Sequence, residues 1–102
     1  MVYNTSMLEV RETAVFSGWL AALRDAAART KIQARILRLR HGNFGDVKPV
    51  GEGVSELRID FGPGYRLYCV QDGAQLVILL AGGSKKTQDK DIKTALTLAK
   101  NL

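Results

Sequence analysis

Two arginines on a predicted β-hairpin are the side chains best suited to chemistry on a phosphate. Residues 53–68, with the sequence GVSELRIDFGPGYRLY, predict two strands joined by a glycine-proline turn, with Arg58 and Arg66 at comparable places. Strand side chains alternate between two faces, which puts Glu56 and Arg58 opposite the core. The same alternation puts Arg66 and Tyr68 on that face of the second strand. Because a guanidinium fork matches phosphate and carboxylate oxygens, we expect this open face to meet a phosphate or an acidic partner.

The overall charge agrees with such a partner. The chain has a net charge of +5 and a pI of about 9.7, and a positive surface attracts nucleic acid or an acidic protein. A basic stripe of Lys31, Arg35 and Arg38 runs along a predicted helix, and Lys48 precedes the first core strand of the sheet. Two interpretations stay open for the stripe: contact with RNA or an antagonist protein, and a solvated helix face. For Lys48 they are contact with the RNA backbone and a solvated loop lysine.

Length and cysteine usage limit the class of protein. A chain of 102 residues predicts one domain, residues 1–102. The single cysteine, Cys69, can form no disulfide within the chain, which fits a reducing cytosol, and its apolar strand favours a small buried side chain. The longest apolar run, residues 76–81, is too short to span a membrane, and residues 1–5 show no secretory signal.

The one histidine does not indicate a metal or cofactor site. His41 and the single cysteine lie far apart in the sequence and form no ligand cluster, so neither a metal nor a cofactor is expected. His41 could titrate near neutrality. Its position in a loop before the sheet favours an exposed residue at a helix end.

Periodicity in the first half predicts a strand and two helices. A strand is expected near residues 7–11, followed by a helix with Thr13 as N-cap and with Phe16, Trp19, Leu20 and Leu23 on its apolar face. A second helix is expected over residues 25–40, with an apolar stripe of Ile32, Ile36 and Leu39 and with Gly42 at its C-terminal end.

The second half predicts an antiparallel sheet and a last helix. The sequence QDGA at 71–74 predicts a type I′ hairpin turn, and the wholly apolar run 76–80 predicts a central strand covered on both faces. Residues 82–86 are expected to form a loop, and a helix to start near Thr87. Since helices and strands are segregated, the fold class is α+β.

These segments together resemble the RelE/ParE superfamily of type II toxins, in its HigB-like addiction module killer branch. The resemblance runs almost end to end and is carried by FSGWL at 16–20, RILRL at 35–39, GNFGDVKPVGEGVSELRI at 42–59, GPGYRLY at 62–68, LLAGGSKKTQ at 79–88 and the alanine-rich last helix from 91. It implies a helical hairpin packed on a twisted antiparallel sheet, with a short C-terminal helix.

The resemblance also implies a function and partners. It implies a cytoplasmic toxin that stops translation by cutting mRNA, often on the ribosome. It further implies neutralisation by a small antitoxin, usually a helix-turn-helix DNA-binding protein, through which alone operator DNA is contacted.

The family pattern places basic residues where this chain has Arg58, Arg66 and Lys85, with Lys86 as a neighbour. Arginine suits the crowded phosphorane of RNA cleavage, since its fork matches phosphate oxygens and its charge is permanent. Tyr68, on the predicted arginine face, could stack on a base.

The groups that transfer protons stay open at this point. Members of the family often have a lysine at the place of Glu56 and a tyrosine near the place of Asp91, and this chain departs from both. Glu56 or Asp91 could act as the base, and a lysine with a lowered pKa as the acid. Two other functions remain in competition: a ParE-type inhibitor of DNA gyrase without RNA chemistry, and a degenerate, non-toxic member that keeps only antitoxin binding.

Overall fold

Apolar side chains on both faces of the central strands require a layer of helix on each side of the sheet. The computed structural model describes residues 7–102, so residues 1–5, where no secretory signal is predicted, lie outside the described residues. The elements follow in the order β1 (Glu9–Glu12), α1 (Ala14–Ala22), α2 (Ala26–Arg40), β2 (Val47–Gly51), β3 (Val54–Ile59), β4 (Tyr65–Asp72), β5 (Leu76–Ser84), a 3-10 turn (Lys85–Thr87) and α3 (Gln88–Lys100).

The sheet is mixed, with strand order β1-β5-β4-β3-β2. Strands β2 to β5 pair antiparallel through successive hairpins, as predicted, and β1 adds to β5 in parallel because α1, α2 and three strands separate the two in sequence. The predicted α+β class, with a helical hairpin, a sheet and a C-terminal helix, is confirmed. The parallel first strand is the one departure from a purely antiparallel sheet.

Two hydrophobic clusters lie on opposite faces of the sheet. Helices α1 and α2 cover one face, where Phe16, Ile32 and Leu39 are fully buried together with Leu57, Leu67 and Leu79. Helix α3 covers part of the other face through Ala95, against Tyr68 and Leu80. The face predicted to be open is therefore partly closed, and Glu56 and Tyr68 lie in the interior.

The helix ends agree with the sequence. The Thr13 hydroxyl accepts a hydrogen bond from the Phe16 N–H at 3.1 Å, and the Asp25 carboxylate accepts from Ala27 and Ala28 at the start of α2. Gly42 follows α2 with φ of 83° and donates its N–H to the Leu39 carbonyl at 2.9 Å.

The hairpin between β4 and β5 differs in turn type from the prediction. Residues 73–75 connect the two strands, and among residues 72–75 only Gly73 has a positive φ, of 73°. A type I′ turn needs two such residues, so that prediction is wrong. The hairpin itself is confirmed, as is the central, doubly covered position of β5, whose Leu79 and Leu80 are fully buried.

Residues 82–84 form the end of β5, and the prediction of a loop there is wrong. At both glycines a side chain from another element packs directly against the strand backbone. A Cβ at Gly82 would overlap the Trp19 ring, and one at Gly83 would overlap the Asp91 carboxylate. The glycine pair therefore marks two close approaches to a strand. No helix within residues 7–102 is long and apolar enough to cross a membrane.

We expect the Cys69 thiol to be inert in the folded protein. Burial raises the pKa of the Cys69 thiol to about 11, so at pH 8 its thiolate fraction is roughly a hundredfold below that of an exposed thiol. Alkylation by iodoacetamide should be slow in buffer and fast in urea. The pKa of Cys69 is higher in the folded than in the unfolded protein, so the neutral thiol favours folding. Its contribution to the free energy of unfolding is complete below pH 9 and falls as the pH rises toward 11. Cys69→Ala should lack this fall, and fast alkylation of the native protein would contradict the burial.

Candidate phosphate-binding cleft

The two arginines of the hairpin lie directly opposite each other on β3 and β4. Arg58 pairs with Arg66 in the strand register, and like charges at such a position repel. Each guanidinium has its own carboxylate. Arg58 donates from Nη2 to Asp46 Oδ1 at 2.7 Å and from Nε to the same oxygen at 3.2 Å, whereas Arg66 Nε lies 3.7 Å from Glu56 Oε2.

Lys85 joins the arginines through the turn between β3 and β4. The Gly64 carbonyl accepts the Lys85 backbone N–H at 2.8 Å and Arg66 Nη1 at 2.9 Å. An open cleft of about 370 Å³ results, and its lining comprises Asp46, Arg58, Ile59, Asp60, Gly64, Tyr65, Arg66 and Lys85. The three basic residues carried over from the family pattern thus share one cavity.

The two arginines differ in exposure. The Arg58 side chain is 42% exposed, while that of Arg66 is only 12% exposed. The hydrogen bond with Asp46 raises the pKa of Arg58, so its charge is permanent. Both side chains line the open cleft and belong to neither hydrophobic cluster, as expected, but that of Arg66 is mostly covered.

Glu56 and Tyr68 lie beneath the cleft. Glu56 Oε2 accepts hydrogen bonds from the Tyr68 hydroxyl at 3.0 Å and from Gln88 Nε2 of α3 at 2.8 Å, and Glu56 is 1% exposed. Burial, followed by the Glu56 charge and hydrogen bond, raises the pKa of Tyr68. The prediction that Tyr68 faces an open surface is wrong, and its fully buried ring offers no face to a base. Glu56 likewise does not line the cleft.

Asp91 lies in a neighbouring cleft. It accepts a hydrogen bond from the Thr87 hydroxyl, packs against Gly83, and shares a cavity of about 410 Å³ with Trp19 and Lys90. The cleft that holds Arg58 and Arg66 does not include it. The structure therefore separates Asp91 from the arginines with which it was grouped.

The remaining predicted contact residues are scattered. Lys86 is exposed in the 3-10 turn before α3, Lys48 is exposed on β2, and His41 is exposed just after α2. None of these three side chains lines the arginine cleft.

The predicted basic stripe on α2 is interrupted at its centre. Lys31 and Arg38 are exposed, but Arg35 is only 4% exposed and donates to three carbonyls, those of Phe44, Asp46 and Arg58, at 2.6–2.8 Å. Burial, with a smaller contribution from Arg38, lowers the pKa of Arg35. The prediction of Arg35 as a surface contact is wrong because its guanidinium joins the loop before β2 to the end of β3.

Sequence reasoning missed the roles of Asp46 and Gly64. Asp46 follows a glycine in a loop, so no strand alternation could place it. Its carbonyl accepts Arg35 Nη2 at 2.8 Å and the Arg58 backbone N–H at 2.9 Å, and these two contacts hold it beside Arg58. Asp60 is the other carboxylate beside the arginines. It lines the cleft, and among residues 7–102 it makes no ion pair within 4.0 Å.

The fold is that of RelE toxins. The structure superposes on a mutant of the E. coli toxin RelE in the free state with a TM-score of 0.66, over 85% of this chain and 96% of that chain, at 13% sequence identity. This likeness concerns the fold alone.

The sequence comparison is more specific. A family model described as Phage derived protein Gp49-like (DUF891) matches residues 18–102, and the chain belongs to this family. A protein of Haemophilus influenzae strain Rd, described only as an uncharacterized protein, is 53% identical over 95 residues, which cover 93% of this chain and 96% of the relative. The chain is therefore a member of the Gp49-like family with the fold of RelE.

Arg35 and Arg38 should respond oppositely to truncation. Arg35→Ala would leave three carbonyls without their donor, and we expect it to lower the free energy of unfolding by about 2–4 kcal/mol. Arg38→Ala, one helical turn away on the surface, should change it by less than about 0.5 kcal/mol. Urea unfolding of both variants measures this, and equal losses would contradict the interior role of Arg35.

Proposed function

We propose that this protein is the toxin of a type II toxin–antitoxin system and inhibits translation in the cytoplasm by cleaving mRNA, on the ribosome. The observation that carries the proposal is the convergence of Arg58, Arg66 and Lys85 on one open cleft. Membership of the Gp49-like family, the RelE fold and the net charge of +5 support it. A polyanionic substrate is the partner that such a cleft favours.

The arginines would stabilise the phosphate during cleavage. In the proposed reaction the ribose 2′-oxygen attacks phosphorus and the bond to the 5′-oxygen breaks, which leaves a 2′,3′-cyclic phosphate and a 5′-hydroxyl. The phosphorane carries extra negative charge, and fixed guanidinium groups are suited to it. Arg58 is exposed enough to close on an oxygen, while Arg66 would contact the phosphate from the more enclosed side of the cleft.

Two cleft residues fit the proton transfers better than the pair suggested by the sequence. Asp60 lines the cleft and is exposed, so its carboxylate can take the 2′-hydroxyl proton. Lys85 is the ammonium group in the cleft and can give a proton to the leaving 5′-oxygen. Glu56 is buried and Asp91 lies in the neighbouring cleft, so neither is proposed as the base.

The same surface would be the target of neutralisation. We propose that an antitoxin, a helix-turn-helix DNA-binding protein, covers the cleft or the exposed Lys31 and Arg38, and that operator DNA is reached through the antitoxin. The positive charge favours an acidic covering segment. Lys48 and Lys86, both exposed, are proposed as contacts with the RNA backbone.

Expression without an antitoxin should arrest growth by stopping protein synthesis. Pulse labelling of protein and DNA after brief induction should show translation falling first. Mapped mRNA fragments should carry 5′-hydroxyl ends. Early loss of DNA synthesis with continued translation would instead favour a gyrase inhibitor, and normal growth would favour a non-toxic, antitoxin-binding protein.

Arg58→Ala should abolish most of the activity without unfolding the protein. We expect cleavage to slow by about 10²–10³-fold, as for other preorganised donors to a developing oxyanion. Arg58→Lys should restore part of the rate, since lysine keeps the charge and loses the fork. Cleavage of mRNA on purified ribosomes and the melting temperature are the two measurements.

Arg11→Ala is the matched control for this substitution. Arg11 is also an exposed arginine, 64% exposed, in an ion pair with a carboxylate, that of Glu9 at 2.6 Å, and it lies on β1, outside the cleft. Its removal should leave cleavage unchanged. Equal activity of Arg58→Ala and Arg11→Ala would remove Arg58 from the mechanism.

A further inference from the structure

We propose that Glu56 is a positioning residue that fixes the Arg66 guanidinium for phosphate binding, with Tyr68 and Gln88 holding the carboxylate. The inference rests on the proposed RNA cleavage and deepens it. Glu56, which the sequence suggested as a possible base, would then transfer no proton and would act only by holding Arg66 in place. The network joins β3, β4 and the first residue of α3 beneath the cleft.

The carboxylate is fixed by two donors. Glu56 Oε2 accepts from the Tyr68 hydroxyl at 3.0 Å and from Gln88 Nε2 at 2.8 Å, and the side chain of Glu56 is 1% exposed. A buried carboxylate is costly unless it is paired and hydrogen-bonded. The nearby cation is Arg66, whose Nε lies 3.7 Å from Oε2.

The Arg66 guanidinium depends on this carboxylate. Its Nε is buried and makes no hydrogen bond among residues 7–102, so the charge of Glu56 is what compensates it. At 3.7 Å the contact is an ion pair and not a hydrogen bond. Arg58 has no such buried counterpart, since its partner Asp46 is 58% exposed.

Gly64 supplies the second anchor. Its carbonyl accepts Arg66 Nη1 at 2.9 Å, and a Cβ at Gly64 would lie 3.2 Å from that nitrogen. Gly64 has φ of 80°, a conformation that favours glycine. With Nε directed to Glu56 and Nη1 to Gly64, Nη2 is the nitrogen left to meet a phosphate oxygen in the cleft.

The contact itself can be tested without RNA. In nitrogen-15 NMR spectra we expect the Arg66 Nε–H proton to exchange with water more slowly than that of Arg58. Glu56→Gln should accelerate this exchange at least about tenfold, because the amide keeps the shape and loses the charge. Glu52→Gln is the matched control: the same change at an exposed carboxylate of the β2–β3 turn should leave the exchange unchanged. Equal exchange in all three proteins would overturn the proposal.

The consequence is tested by single-turnover cleavage of mRNA on ribosomes. Glu56→Gln should lower the rate about 10–10²-fold at every pH, with the shape of the pH profile retained, while Glu52→Gln cleaves normally. In an Arg66→Ala background, Glu56→Gln should not lower the cleavage rate further, because the arginine that Glu56 positions is already absent.

The outcomes separate this inference from the proposed function. A wild-type protein that leaves mRNA intact would overturn the function and the inference that rests on it. Wild-type cleavage that Glu56→Gln leaves unchanged would overturn the inference alone. Loss of the acidic limb of the profile would make Glu56 the base and also overturn it. A lower melting temperature of Glu56→Gln with an unchanged rate per folded molecule would reduce Glu56 to a structural role and overturn the inference.

Tyr68→Phe keeps the ring and removes one of the two donors to Glu56. It should therefore lower the cleavage rate less than Glu56→Gln does.

Discussion

The repulsion between Arg58 and Arg66 is the constraint on which the arrangement of the cleft depends. The β3–β4 register sets the two cations opposite each other, and a sheet tolerates like charges there only if other groups compensate them. Asp46 compensates Arg58 from an exposed loop, and Glu56 compensates Arg66 from the interior. One arginine is therefore exposed and the other mostly covered, so the cleft presents one guanidinium at its surface and one at its base.

The two compensating groups depend on different helices. Arg35 of α2 binds the carbonyls of Phe44 and Asp46, so that the loop carrying Asp46 stays beside β3. Gln88 of α3 binds Glu56 from the other face of the sheet. Each helical layer thus holds one of the carboxylates that compensate the arginines, although neither α2 nor α3 contributes a residue to the lining of the cleft.

The local elements could be predicted because their signals lie within a few residues of one another. The Thr13 hydroxyl and the Asp25 carboxylate cap the first turns of α1 and α2. The apolar stripe predicted for α2, Ile32, Ile36 and Leu39, is buried as expected. The turn at 73–75 could not be typed, since the dipeptide Asp-Gly permits several geometries. Gly82 and Gly83 were predicted as a loop because glycine pairs are typical of loops. The Trp19 ring and the Asp91 carboxylate, which leave no room for a Cβ at these positions, come from other elements and could not be foreseen.

The sequence by itself determined the α+β class and the candidacy of Arg58 and Arg66, since these follow from residue types at short spacing. The resemblance to RelE-type toxins, which runs almost end to end, added Lys85. Only the tertiary structure decided which of these candidates share a cavity. Strand alternation assigns a residue to a face but does not say what covers that face. Helix α3 covers it at Glu56 and Tyr68, and leaves it open near Asp60. Whether an arginine such as Arg35 belongs to the surface or the interior depends on the carbonyls that distant segments bring to it, which no local pattern records.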